Sequence, residues 1–396
     1  LVTKKQTSLP LDGIRVLDLA TFVAAPFAAT ILGEFGAEVI KVEHPNGGDP
    51  MRRFGTPTDD PDLTLAWLSE ARNKHSVTMD LKSAEDVERF KTLVARADVV
   101  CENFRPGTLE RWGLGWDVPS AINPRLVLLR ISGFGQDGPY KDRPGFARIA
   151  HAVGGLTYLA GMPGGPPVTP GSTSLADYIS GLYGAVGVLL AMRSVEQTGK
   201  GQVIDVALYE SIFRVLDELA PLYAKHGTVR EAEGVGTRHA CPHGHFVCAD
   251  GKWVAIACTA DRIWKRMAEN VLKQPELAES HPTTQSRLAD RDMIENAVES
   301  FTKSHDMADV VNLCNDGDVP CGAINSIEDI FSDPHFEARE TMINVEHATQ
   351  GTQTIPNVLP RLLGTPGNIN SLGPDLGDWD GEMLNNILTD LSEIRS

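Results

Sequence analysis

Three stretches of the chain carry residues suited to chemistry. The first is Ser172-Thr-Ser-Leu-Ala-Asp177-Tyr-Ile-Ser-Gly181. It sets Asp177 after a loop and at the start of an apolar, helical run. A carboxylate there is stabilised by the helix dipole and the free first-turn N–H groups, so the residues alone favour a cap. The position also suits a nucleophilic or basic carboxylate on the lip of a pocket. Gly181 and Gly184 let another segment approach closely, as a crowded site requires.

The second stretch is Cys241-Pro-His243-Gly-His245-Phe-Val-Cys248, with His239 and Cys258 nearby. Its spacing matches no common zinc template, and Pro and Gly between the ligands point to a turn, so no metal is expected. Two readings stay open: a loop with polar His and small buried Cys, or a substrate-facing loop whose imidazoles bind a carboxylate. The third stretch holds Asn103 and Phe104, just past the short apolar run Val99–Cys101. Open α/β sheets bind ligands at such strand ends. Arg111, a turn later, is either a ligand contact or a surface ion pair. Asn46-Gly-Gly-Asp-Pro50 is ordinary turn chemistry or a phosphate contact. GxxxxGK[ST] and GxSxG motifs are absent, which removes the P-loop and α/β-hydrolase signatures.

The elements that must position these residues alternate. Ile14–Leu19, Val39–Val42, Ser76–Asp80, Val99–Cys101 and Leu126–Ile131 read as short strands, with Val203–Val206 a last one. Helical patterns fall at Ala24–Gly36 and at Ala84–Ala95. This is the signature of βαβ units and a mostly parallel sheet. Residues 145–170 are rich in Gly and Pro and predict a long loop. Ser174 to Glu196 reads as a helix, and its apolar part, Ile179–Met192, as a buried one. Tyr209–His226 predicts one helix leading out of a first domain. Gly227–Gly236 marks a boundary. A second domain follows to about residue 330, with a strand at Trp253–Ala257 and helices at Asp261–Leu272, Asp290–Ser304 and Met307–Asn315. The tail reads as irregular chain with a short final helix.

The chain has 396 residues and a net charge of −17, with 36 Lys and Arg against 53 Asp and Glu. Such a balance, with no basic run, argues against nucleic acid and anionic membranes as partners. An anionic ligand must be held by a few placed cations. Six Cys are too few for a disulfide scaffold, the N-terminus shows no secretory signal and no run of 18 apolar residues occurs, so a cytoplasmic enzyme is expected.

Several strings together resemble the class III CoA-transferases (the CaiB/BaiF, formyl-CoA transferase and carnitine dehydratase family). They are LPLDGIRVLDLATFVAAPFAATILGEFGAEVIKVEHPNGGDPMR, NKHSVTMDLKS, DVVCENFRPGTLERWGLGW, GFGQDGPYKDRPGF, TSLADYISGLYGA and TGKGQVIDVALYES. The resemblance implies an α/β fold: a Rossmann-like large domain at 1–226, completed by 331–396, a small α/β domain at 227–330, and two interlocked chains. It implies that Asp177 is the nucleophile and becomes an aspartyl-CoA thioester. It puts CoA contacts on Thr21, Phe22, Val23, His44, Met79 to Lys82, Asn103, Phe104, Arg111 and Arg143. His44 stands where some members carry Arg. Coenzyme A enters as a thioester substrate, with no permanently bound cofactor.

Within the family, a racemase branch needs a His where this chain has Phe146, so racemisation is not expected. A formyl-CoA:oxalate branch has a poly-Gly lid where this chain has the polar run Thr237–His245. Arg238, His239, His243 and His245, with Arg148 beside Phe146, supply cations suited to a second carboxylate. The expected donor is succinyl-CoA and the expected acceptor a dicarboxylate such as malate, citramalate, itaconate, mesaconate or glutarate. The alternatives are an aromatic or carnitine-like acid, or a catalytically silent CoA-binding subunit of a heteromeric enzyme.

Overall fold

The computed structural model describes residues 8–171 and 173–389. Within them the chain divides into two compact units. One takes in the chain up to Leu156, Thr169–Leu219 and everything from Arg339 on; the other is Thr157–Val168 with Ala220–Ala338. These limits differ from the sequence reading at 226/227 and 330/331.

The larger unit is built on strands β1 (Arg15–Asp18), β2 (Glu38–Glu43), β3 (Lys74–Thr78), β4 (Val99–Glu102), β5 (Val127–Ser132) and β6 (Val203–Ala207). They form one sheet in the order β3-β2-β1-β4-β5-β6, with every neighbouring pair parallel. This is the doubly wound Rossmann order, whose connections diverge between β1 and β4. Both faces are covered, so the strands are apolar at successive positions. Val16, Val39, Val99 and Leu129 pack on one face beneath helices Ala24–Glu34 and Leu175–Thr198. Leu17, Ile40, Val100 and Leu128 pack on the other against Phe90, Leu93 and Val94 of helix Ala84–Val94.

Gly181 and Gly184 let those first two helices meet. A Cβ on Gly181 would lie 2.6 Å from the Ala24 carbonyl oxygen, and one on Gly184 would lie 2.9 Å from Leu129 Cδ2. The smaller unit holds the antiparallel strands β7 (His243–Val247), β8 (Trp253–Ala257) and β9 (Cys321–Ala323). Its core joins Trp264, Ile294, Val298 and Val310 to Cys241, Cys248, Cys258 and Cys314. A hairpin of β10 (Met342–His347) and β11 (Gly351–Pro356) belongs to the larger unit.

Four expectations need correction. Residues 145–170 are not one loop: Ala147–Val153 and Leu156–Leu159 are helical. Tyr209–His226 is not one helix; Leu208–Phe213 and Leu219–His226 are separated where Asp217 takes a φ of +49°. The long helix is buried on one face only, since Leu182, Val186 and Leu190 are exposed. By length and composition alone it could cross a bilayer. The tail is more regular than expected, because it contains the β10–β11 hairpin as well as the final helix Glu382–Thr389.

Candidate active site

The site begins where β1 and β4 end. Thr21 N–H donates to Asn103 Oδ1 at 2.8 Å, and Asn103 Nδ2 donates to the Thr21 carbonyl at 2.7 Å. This reciprocal pair ties together the two loops at the topological switch point. Phe22 follows with a φ of +60°, a conformation that costs a bulky residue energy and persists only where its surroundings enforce it. Asp49 supplies that enforcement. Its Oδ1 accepts from Phe22 N–H at 3.0 Å and from Met51 N–H at 2.9 Å. Lys41 Nζ lies 3.0 Å from Asp49 Oδ2 and 3.6 Å from Asp18 Oδ2, and Lys74 Nζ donates to Asp18 at 2.9 Å. Both lysines are fully buried. Burial disfavours the Lys41 charge, but Asp18, Asp49 and Glu43 outweigh it and raise its pKa. The Asn46–Pro50 turn therefore works partly as a brace, through Asp49.

Asp177 enters from the long helix. Three amides at the start of that helix have partners other than its carboxylate. Ala176 N–H donates to His151 Nε2 at 3.0 Å, while Asp177 N–H and Tyr178 N–H donate to the Ser174 carbonyl at 2.9 and 3.2 Å. Sequence favoured a capping role, but among the described residues no hydrogen bond or ion pair engages the carboxylate. Burial alone pushes the Asp177 pKa up from 3.8 to about 7. A desolvated, weakly solvated carboxylate is a better base and nucleophile than a capped one.

Asp177 opens onto a cavity of about 200 Å³ that Thr21, Phe22, Val23, Asn103, Phe104, Arg143 and Phe146 also line. Phe22 and Phe146 meet edge to face at 6.1 Å. Arg105 and Lys141, which sequence reading did not single out, join Arg143 as exposed cations on its wall. A neighbouring cavity of about 120 Å³ shares Thr21 and Phe104 and adds His44, Met79 and Lys82. His44 Nε2 lies 3.8 Å from Asp80 Oδ1. Arg111 lines a third recess with Lys82 and Trp112, and donates to Thr108 Oγ1 at 2.8 Å. These cavities run from Asp177 along the strand ends of the larger unit. Arg148 is exposed on helix Ala147–Val153 and is not part of the Asp177 cavity wall.

In the smaller unit, Arg238, His243 and His245 line a cavity of about 820 Å³. Arg238 is already paired with Glu233. His239 is exposed and outside that lining. The Cys and His run is strand rather than loop: His243 and His245 sit on β7, and Cys241, Cys248 and Cys258 are core residues whose thiols burial pushes up to about 11, 11 and 12. Sequence reading also missed Asp49's brace and His151. Each is an ordinary polar residue whose partner lies 25 or more positions away, so no local spacing announces it.

A family model, CoA-transferase family III, matches residues 11–379. The chain is 57% identical over 386 residues to the succinyl-CoA–L-malate CoA-transferase beta subunit of Chloroflexus aurantiacus, covering 96% of this chain and 95% of that protein. It is 54% identical to the alpha subunit from the same organism, covering 97% and 90%. A crystal structure of a CAIB/BAIF family protein from Brucella suis superimposes with a TM-score of 0.85 at 32% identity, covering 96% of this chain and all of that one. The parallel sheet, the switch-point loops and the whole-length match lead to one assignment: the chain belongs to CoA-transferase family III.

Proposed function

We propose that this protein transfers coenzyme A from succinyl-CoA to a C4–C5 dicarboxylic acid, with Asp177 as the covalent carrier. The observation that carries the reading is a carboxylate without a hydrogen-bond or ion-pair partner among the described residues, its pKa raised to about 7 by burial, opening on a cavity at the switch point. Relatives named for succinyl-CoA transfer to L-malate and to D-citramalate, the latter 40% identical, support the choice of donor and acid. Formyl and oxalyl transfer, and racemisation through a His at position 146, are not part of the proposal.

The steps balance. An Asp177 oxygen attacks the succinyl thioester carbon, the C–S bond breaks, and a succinyl–aspartyl anhydride and CoA thiolate form. The thiolate attacks the Asp177 carbonyl and releases succinate, leaving an aspartyl-CoA thioester. The acceptor carboxylate attacks that thioester, displacing thiolate and forming a new anhydride. Thiolate attack on the acceptor's carbonyl gives the product and frees Asp177. The thioester energy is conserved because no step uses water. Thr21, Phe22, Val23, Asn103, Phe104 and Arg143 are the proposed CoA contacts near the reacting thioester. His44, Met79, Lys82 and Arg111 are the proposed contacts farther along CoA. Arg148, Arg238, His239, His243 and His245 are our candidates for reading the acid, with Phe146 at the cavity mouth.

We assign the working form as a dimer of two copies in the cytoplasm. Leu182, Val186, Leu189 and Leu190 expose an apolar stripe on the long helix, a surface that a second copy would cover. A second reading, a subunit that works with a related partner chain, is favoured by the alpha and beta names of the two relatives. Purified chain, alone, is assayed with succinyl-CoA and each of L-malate, citramalate, mesaconate, itaconate and glutarate. CoA transfer to at least one is the expected outcome. Transfer to none, with transfer restored by a related chain, establishes the subunit reading. Transfer from acetyl-CoA but not succinyl-CoA overturns the donor.

A further inference from the structure

His151 is a histidine that the proposed chemistry does not use, yet it lies one hydrogen bond from the nucleophile's turn. It sits on helix Ala147–Val153 and is 1% exposed. Its Nε2 accepts the Ala176 N–H at 3.0 Å. Its Nδ1 is buried with no hydrogen-bond partner among the described residues. An imidazole that accepts at Nε2 must hold its proton at Nδ1, so this network sets both tautomer and neutrality. Burial and then the nearby Arg148 charge lower its pKa, which agrees with the neutral form.

Ala176 is the second residue of the long helix and is fully buried. Its N–H is among the first-turn donors that a helix leaves without an intrahelical acceptor, and it is shut off from water, so it needs an acceptor from elsewhere. A capping side chain normally comes from the residue before the helix, but Ser174 makes no side-chain cap bond. His151 takes that role from another helix, and it does so one residue before Asp177.

We propose that His151 is a positioning residue for the covalent step: by accepting the Ala176 N–H it fixes the turn that presents Asp177 and keeps that amide from capping the Asp177 carboxylate. The proposal rests on the reading of Asp177 as nucleophile. Without His151, the Ala176 amide seeks another acceptor, and the adjacent carboxylate is the nearest anionic one in sequence. A carboxylate that takes this bond is both turned from its productive direction and less nucleophilic.

The test uses the full chain and succinyl-CoA as the probe. Wild type, H151L and H151Q are mixed with succinyl-CoA, quenched over time and analysed by intact mass for the Asp177 adduct. Rates are expressed per chain able to form adduct at long times, so misfolded protein does not count. A Gln oxygen can accept where Nε2 does; Leu cannot. H151L is expected to form adduct roughly 10- to 100-fold more slowly, the range set by one buried unpaired donor. Its half-saturating succinyl-CoA concentration is expected to stay within about twofold, because uniform binding is not what is lost. H151Q is expected to recover most of the lost rate. Amide exchange resolved to Ala176 is expected to be slow in wild type and H151Q and fast in H151L. If H151L does not fold, H151M serves as the apolar variant.

Adduct formation by H151L at the wild-type rate overturns the proposal. So does a rate in H151Q as low as in H151L while the Ala176 amide stays protected. Absence of any adduct in wild type is a different failure: it overturns the Asp177 reading itself, and the role of His151 falls with it.

Discussion

Asp177 holds a charge that its surroundings disfavour, and this has consequences for both rate and stability. Its pKa is raised from 3.8 to about 7 by burial. The nucleophile is the ionised form, so adduct formation should fall about tenfold per pH unit below about 7. A quench-flow pH series checks this; a rate flat down to pH 5 contradicts it. The sign for stability is opposite. A carboxyl whose folded pKa lies above its unfolded value weakens the fold fully above pH 7, progressively less between 7 and 3.8, and not below. D177N should therefore raise stability at pH 8 by roughly 1–3 kcal/mol, discounted for partial solvation, and the gain should vanish near pH 4. Denaturant unfolding at the two pH values measures it. Such a gain on removing a functional group is the usual cost of a strained site.

At the scale of elements, the site depends on two loops that the sheet order brings together. Asn103 bonds Thr21 in both directions, and Asp49 braces Phe22. N103A removes both Thr21 bonds and should cost about 1–3 kcal/mol in stability while raising the KM for succinyl-CoA more than it lowers kcat. Equal KM in N103A and wild type would detach this pair from CoA binding. G181A adds a Cβ 2.6 Å from the Ala24 carbonyl oxygen. Overpacking of that kind should destabilise by about 1–3 kcal/mol, read from the denaturant midpoint. The strands of the large sheet were legible because parallel strands covered on both faces appear as continuous apolar runs. The hairpin of β10 and β11 was not, since most of its side chains are half-buried or exposed and its polar residues mask the period. Ala147–Val153 was masked in the same way by its Gly- and Pro-rich flanks. Asp177 was legible as a position but not as an uncapped group, since no local spacing shows that the neighbouring Ala176 amide is taken by His151, 25 residues distant.

At the scale of the whole molecule, an acidic chain handles an anionic substrate with local charge. Arg105, Lys141 and Arg143 gather at one cavity although the net charge is −17. Salt should therefore raise the KM for succinyl-CoA only modestly, since no broad positive field steers it. The exposed stripe at Leu182, Val186, Leu189 and Leu190 predicts a native mass of twice the chain. L190E should shift sedimentation toward monomer at micromolar concentration; unaltered association would place the interface elsewhere. The central claim is covalent transfer through Asp177. Intact mass after incubation with succinyl-CoA, with hydroxylamine trapping and peptide mapping, tests it most directly beside D177A. The account predicts a trapped adduct on Asp177 in wild type and none in D177A. An adduct that persists in D177A, or transferase turnover with no adduct on Asp177, would contradict it.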